Sequence, residues 1–387
     1  MQNILWLSSW YPNKYDLYNG DFIQRHAIAS VPFCNISVIS IQFVPSNWQK
    51  EVTVTERLNQ HDFPETIIYL KKSNLPSPFN KIVDQYRYMR AFKREVNLYL
   101  ASTTPNLVHI HVPVKAGIIG LWIKKKLQIP MVVTEHWGIY NDFAPDKYSG
   151  RSKWFKTLTK RIIAGADTFL PVSKNLGDSI NKLVITKPFE VVKNVVDTKL
   201  FYYQPSDNKP LFWLSHVSMI NHPKNPKGLL RAFSEAVKTN TQLRLRMIGQ
   251  TNREIIEYVT SLNINEFVVF TGMLPQNEVA ALLQKSDAFL LFSLYENMPC
   301  VIAEALCCGL PVISTNVGGI GEIITPENGI LINTSDEEAF TKAILRMSEG
   351  KDQSFNRSLI AQKAAENFCY NTIGKQIARV YQKLLNN

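Results

Sequence analysis

"SLYENMPCVIAEALCCGLPVIST", residues 293–315, decides how the chain is read. Asn297 has the chemistry of a helix N-cap, Pro299 suits a first helical turn, Gly309 falls where a helix would stop, and Pro311 forbids its resumption. The spacing predicts a short helix that leaves one buried apolar run, "DAFLLF", and leads into another, "PVIST". Strand, helix, strand with apolar runs on both sides is the unit of a parallel sheet covered on both faces. Two carboxylates, Glu296 and Glu304, stand eight apart in this stretch. The helical neighbours of Glu304 are Cys300, Val301, Cys307 and Cys308, and none can solvate a charge. Two readings are open. Glu304 meets a buried Arg, Lys or backbone amide as a structural pair, or the two acids flank a helix N-terminus whose free amides attract phosphate or sugar oxygens.

The same alternation extends in both directions. Upstream, "NILWLSS", "NISVISI", "TIIYL", "LVHIH", "PMVVTE" and "DTFLPVS" read as strands. Between several of them "DFIQRHAIAS", "NKIVDQYRYMRAFKREVNLYL", "KAGIIGLWIKKKL" and "WFKTLTKRIIAGA" carry helical periodicity. "VDTKLFYYQPSDNKP" (196–210) breaks the pattern and reads as a linker. After it come "PLFWLSHV", a helix from Pro226, "LRLRMIG", "FVVFTG" and "GILI" in a second alternating series, with "NTIGKQIARVYQKLLNN" as a last helix. The expected organisation is an α/β domain over 1–200 and another over 205–370, with the helix at 371–387 crossing back to the first. Ligands would meet the cleft between them, at the carboxyl ends of the strands.

Composition narrows the class. The net charge is +11, and residues 1–200 hold 26 Lys and Arg against 15 Asp and Glu, while the remainder is balanced at 17 against 17. The whole excess lies in the first half, which argues for two domains with different partners. The five cysteines form no C-x-x-C pair, so neither a disulfide framework nor a zinc site is expected. The seven histidines read as unclustered, with His109 as core and His111 as the site candidate at a strand end. The start reads as a first strand and not as a signal peptide, and no apolar run suggests a membrane span. A soluble cytoplasmic chain is expected.

"SLYENMPCVIAEALCCGLPVISTNVGGIGEII" resembles the E-x7-E motif of the retaining family 4 glycosyltransferases, with the glycine loop that follows it. "HPKNPKGLLRAF", "LRLRMIG", "FVVFTGML" and "SDAFLLFSLYE" keep that family's order through most of the second half, and "YNGDFIQRHA", "LVHIHVPVKAG" and "VVKNVVDTKLF" extend it more weakly into the first. The resemblance implies a GT-B architecture, two Rossmann-like domains facing across a cleft. It also implies transfer of a hexose from a nucleoside diphosphate sugar to a hydroxyl acceptor with retention, by a front-face mechanism without a metal or other cofactor.

Carried over by residue, Glu304 would hold the ribose and Glu296 the donor sugar. The amides of Asn297, Met298, Pro299 and Cys300, less the one proline lacks, would meet sugar and phosphate oxygens. Lys224 would neutralise the leaving diphosphate, Gly20 would let the first domain approach it, and His111 and His136 would stand near the donor sugar and acceptor. Ser218 occupies the position of a usual arginine, with His216, His222 or Arg253 as possible helpers. A nucleotide-sugar epimerase shares the two-domain layout, and the basic charge raises a nucleic-acid binder, although the neutral second half speaks against one.

Two basic stretches interleaved with aromatics remain. Residues 81–94 carry five basic residues with Tyr86, Tyr88, Met89 and Phe92, and 147–161 carry six with Tyr148, Trp154 and Phe155. Each alone fits a solvated amphipathic helix. Together they suggest peripheral contact with the anionic inner face of the cell membrane, and a lipid-linked or saccharide acceptor in cell-surface polysaccharide synthesis.

Overall fold

Continuous Val/Ile/Leu strands need cover on both faces, and the computed structural model buries them in that way. It describes residues 1–45, 47–48, 51–205, 210–350 and 355–386. The first unit runs β1 (Asn3–Ser8), α1 (Asp21–Ser30), β2 (Asn35–Val44), β3 (Thr53–Leu58), β4 (Glu65–Lys71), α2 (Phe79–Ser102), β5 (Leu107–His111), α3 (Ala116–Leu127), β6 (Met131–Glu135), α4 (Lys153–Gly165), β7 (Thr168–Pro171) and α5 (Lys174–Leu183). Its sheet has the order β3-β4-β2-β1-β5-β6-β7, parallel except for the edge strand β3.

The second unit runs β8 (Phe212–Val217), α6 (Pro226–Thr239), β9 (Leu243–Ile248), α7 (Arg253–Ser261), β10 (Val268–Gly272), α8 (Gln276–Gln284), β11 (Ala288–Leu291), α9 (Cys300–Cys307), β12 (Val312–Thr315), β13 (Gly329–Ile332) and α10 (Glu337–Ser348). Its six strands are all parallel, in the order β10-β9-β8-β11-β12-β13. In each sheet the order reverses beside the first strand, at β1/β5 and at β8/β11. A crevice opens at such a reversal, outside the carboxyl ends of the strands.

Two further helices, α11 (Arg357–Phe368) and α12 (Tyr370–Leu385), close the chain. They turn sharply at Cys369, where Val196 N donates to Phe368 O at 2.9 Å. Helix α12 lies on α1 so closely that a Cβ on Gly374 would sit 1.8 Å from Ala29 O. Tyr381, fully buried, meets His109 Nδ1 at 2.6 Å. The last helix therefore completes the core of the first unit. Residues 206–209 of the expected linker and Asn387 of the expected last helix lie outside the described residues.

Some elements differ from expectation. β3, "TVTERL", and α5, "KNLGDSINKL", are additional: the first is a half-exposed edge strand without apolar alternation, the second a short helix with Gly177 in its buried face. The basic stretches are also less uniformly exposed than their composition suggests. Tyr88 and Phe92 are buried against the sheet and Tyr148 is buried under α4, whereas Tyr86 and Trp154 are exposed. Phe79 and Ile82 join Tyr86 as exposed apolar residues along α2.

Candidate active site

The loop between β11 and α9 is held from several sides. Leu294 N donates to Pro223 O at 2.8 Å, Thr315 Oγ1 to Ser293 O at 2.6 Å, and Ser293 Oγ to Glu296 Oε1 at 2.8 Å. Glu296 is also ion-paired with Lys224, which ends a short turn before the αL residue Asn225. The Asn225 side chain accepts from Gly228 N, so the cap that starts α6 also aims Lys224. Gly318 and Gly319 press against this loop. A Cβ on Gly318, whose φ is +58°, would sit 1.7 Å from Glu296 O, and one on Gly319 2.2 Å from Asn297 O. Only glycine fits at either position.

Helix α9 begins at Cys300 with Pro299 at its cap position. The expected N-cap role of Asn297 is not realised. Its side-chain amide crosses to the first domain and donates to His136 O at 2.7 Å. Asn194 Nδ2 reaches Met298 O at 2.7 Å, so two amides stitch the loop to the facing unit.

Glu304 has a partner that lies 279 residues away in the chain. Arg25 Nη1 stands 2.6 Å from Glu304 Oε1, and Arg25 also pairs with Asp21 one turn earlier on α1. The structural-pair reading of Glu304 therefore holds in this conformation. Burial pushes the Glu304 carboxyl up against the pull of Arg25. Burial works against the Arg25 charge too, but Glu304 and Asp21 outweigh it and keep the guanidinium protonated. A cavity of about 210 Å³ opens beside the pair, lined among others by Tyr18, Arg25, Ser218, Gly249, Cys300 and Glu304. Gly249, at φ +130°, lies so near Ser218 that a Cβ would fall 1.8 Å from its carbonyl oxygen.

Of the three expected helpers around Lys224, His216 is excluded as a cation. Burial lowers its pKa to about 4, and its ring bonds Leu290 O and the Ser218 hydroxyl, at 3.0 and 2.6 Å. Arg253 is exposed and paired with Glu257. His222 is exposed on the same turn as Lys224. Gly20, at φ +73°, caps α1 with its α-carbon pressed on the Trp10 carbonyl, where a Cβ would approach to 2.9 Å.

His109 is the core residue expected, held by Tyr381 and Thr134. The expectation that histidines do not cluster is overturned, because three distant segments converge. His111 ends β5 and stacks on Trp6 with ring centroids 4.1 Å apart. His136 follows β6, in a turn fixed by the buried Glu135 carboxylate, which accepts from His136 N, Trp137 N and Tyr140 Oη. His26 comes from α1, and its Nε2 lies 2.9 Å from Lys193 O. All three are buried, and His26 Nδ1, His111 Nε2, His136 Nδ1 and Asn194 Oδ1 have no hydrogen-bond partner among the described residues. Each such atom costs about 1–3 kcal/mol.

Arg25, His26 and Asn194 were not anticipated from sequence. The available signal was local: Arg25 and His26 interrupt an otherwise apolar inward face of α1, and Arg25 stands four residues after Asp21. Glu322 is a further case. Its carboxylate accepts from Lys174 N and Asn175 N, both at 2.8 Å, so a side chain of the second domain caps α5 of the first.

Two Rossmann-like sheets facing across such a cleft form the GT-B fold of glycosyltransferases. The fold resembles sucrose-phosphate synthase from Thermosynechococcus elongatus (TM-score 0.77, 18% identity, covering 100% of both chains). It also resembles Anabaena HepE in complex with UDP (TM-score 0.73, 18% identity, covering 99% of this chain and 100% of that one). The model for glycosyl transferases group 1 matches residues 204–366, and that for glycosyltransferase family 4 matches 51–200. Over 285 residues the chain is 35% identical to the UDP-Gal:alpha-D-GlcNAc-diphosphoundecaprenol alpha-1,3-galactosyltransferase of Escherichia coli, covering 68% of this chain and 72% of that one. The chain belongs to the group 1 glycosyl transferases. It is a glycosyltransferase.

Proposed function

We propose that the protein moves a hexose from a UDP-sugar to a hydroxyl of a polyprenyl-diphosphate-linked saccharide, with retention at the anomeric carbon. The observation that carries the reading is the pairing of Lys224 with Glu296 in the loop that enters α9, the helix whose Glu304 lines the cavity beside Arg25. In this reading Glu304 takes the ribose hydroxyls, exchanging Arg25 for them. The amides of Asn297, Met298 and Cys300 and the Gly20 turn take sugar and phosphate oxygens. Lys224 follows the charge that develops on the leaving diphosphate, with Glu296 releasing it to bind the sugar. His111 and His136 border the reacting carbon. The anomeric C–O bond to diphosphate breaks and the acceptor oxygen bonds the same face, its proton passing to the departing diphosphate oxygen. Because Lys224 supplies the charge that this departure needs, no metal is required for it.

The name of the E. coli relative supports the donor and acceptor classes. The test is incubation with UDP-sugars and a polyprenyl-diphosphate-linked N-acetylhexosamine, with mass and anomeric analysis of the product. Lys224→Ala should lower kcat about 10²–10³-fold without unfolding the protein. Unchanged turnover in that variant, or an inverted product, overturns the mechanism.

An acceptor of this kind resides in a membrane, and no helix among the described residues is long and apolar enough to cross one. Surface contact is the alternative. Phe79, Ile82 and Tyr86 stand exposed along α2 at helical spacing, with Lys81 and Arg90 beside them, and Trp154 stands exposed among Lys153, Lys160 and Arg161. Each basic residue near anionic lipid contributes about 1 kcal/mol. The protein should co-sediment with phosphatidylglycerol vesicles at low salt and be released by high salt. Changing Lys153, Lys160 and Arg161 together to Gln should weaken that binding by about 10²-fold. Protein that stays in the supernatant at low salt would make a soluble acceptor the better reading.

A further inference from the structure

We infer that His26, His111 and His136 form a binding site for one first-row transition-metal ion of the imidazole-preferring kind, Zn²⁺ or Co²⁺ among them. One ring nitrogen from each lies within 4.8 Å of those of the other two. His111 Nδ1 and His136 Nε2 are 3.4 Å apart, long for a hydrogen bond between rings. That separation is the ligand–ligand edge of a tetrahedral site, since metal–nitrogen bonds of about 2.0–2.1 Å place two ligands about 3.4 Å apart. The edges to His26 are less tightly set and would close around the ion.

The surroundings of His26 match what a metal asks of a ligand, whereas the second nitrogens of His111 and His136, Nε2 and Nδ1, have no hydrogen-bond partner among the described residues. A ligating imidazole needs its second nitrogen fixed by an acceptor, so that the first presents a lone pair. His26 meets this condition, with Nε2 on the Lys193 carbonyl and Nδ1 unpartnered. Asn194, its amide nitrogen held on Met298 O, lies beside His136 and interacts with that ring through its side chain. The three rings are buried together, away from competing water. Three neutral nitrogen donors favour zinc, cobalt, nickel or copper over magnesium or calcium. The segments joined are α1, the end of β5 and the turn after β6, so an ion here would tie the first helix to the sheet. The loop 297–298 covers the group from the second domain, and the ion would enter when the domains part. A buried water could satisfy the same atoms, and the experiment separates the two.

The site shares His111 and His136 with the transfer reading but uses neither Lys224 nor either glutamate, and because binding is read on the ion and not on turnover, either reading can fail without the other. The full-length protein, freed of metal by chelator dialysis, is titrated with CoCl₂ and followed by visible absorption. The expected result is one equivalent of Co²⁺ with the intense d–d bands of a four-coordinate ion, displaced by one equivalent of ZnCl₂. His26→Gln should lose the bands or weaken binding at least tenfold, with an unchanged circular dichroism spectrum. If that variant does not fold, His136→Asn serves in its place, read in the same way. Absence of d–d bands in the wild type overturns the site. So do the weak bands of a six-coordinate ion, or bands that persist unchanged in the variant, which would put the ion on His61 or His222.

Discussion

Arg25 bridges two acids from opposite sides of the cleft, Asp21 on its own helix and Glu304 from the facing domain. Both ends of the Arg25–Glu304 pair are about nine-tenths buried, so removing one partner strands a charge away from water. Arg25→Ala should cost about 3–5 kcal/mol in urea unfolding, and adding Glu304→Gln should return a large part of it. A double variant as unstable as the single one would show that the loss comes from packing. Glu304 and Glu296 separate by ligand. In calorimetry with UDP, Glu304→Gln should weaken binding about tenfold, while Glu296→Gln should leave UDP affinity nearly intact and reduce turnover. Equal losses of UDP affinity would sink the assignment of ribose to one acid and sugar to the other.

At the scale of elements, the glycine loop after β12 determines where the α9 entry loop can lie. Gly318→Ala would drive its Cβ into the Glu296 carbonyl and impose a left-handed φ on a residue that avoids it. The expected outcome is a folded protein destabilised by about 1–3 kcal/mol, with activity reduced far more than that figure implies. Wild-type turnover in that variant would mean the entry loop adapts.

Much of this layer is legible in sequence because its causes are local. Helix α6 opens at Pro226 behind the Asn225 cap, and α1 opens behind the left-handed Gly20. Gly309 and Pro311 mark the end of α9, but the helix starts two residues later than an Asn297 cap predicts. Asn297 has the right side chain for a cap, and its chain neighbours gave no hint that His136 O would claim it. β3 carries no signal because an edge strand need not bury a face. The partners of Glu304 and the convergence of His26, His111 and His136 depend on contacts across 25 to 279 residues, which periodicity cannot reveal.

Across the whole molecule, the two domains meet through side chains and not only through the linker. Glu322 is the clearest case, since a carboxylate of one domain completes the first turn of a helix in the other. Glu322→Ala should loosen closure, visible as a larger radius of gyration in small-angle scattering with the circular dichroism spectrum kept. An unchanged radius would mean that the Arg25–Glu304 pair and the two loop amides suffice. A different consequence follows from the last helix. His109, in the middle of the first sheet, shares a hydrogen bond with Tyr381, and α1 is covered by a helix that begins at Tyr370. On a ribosome the first domain emerges before the second yet is completed after it, because the segment that seals it follows the second domain in the chain. Until that segment has emerged, α1 with Arg25 and His26 waits uncovered, a natural target for a chaperone that acts on nascent chains.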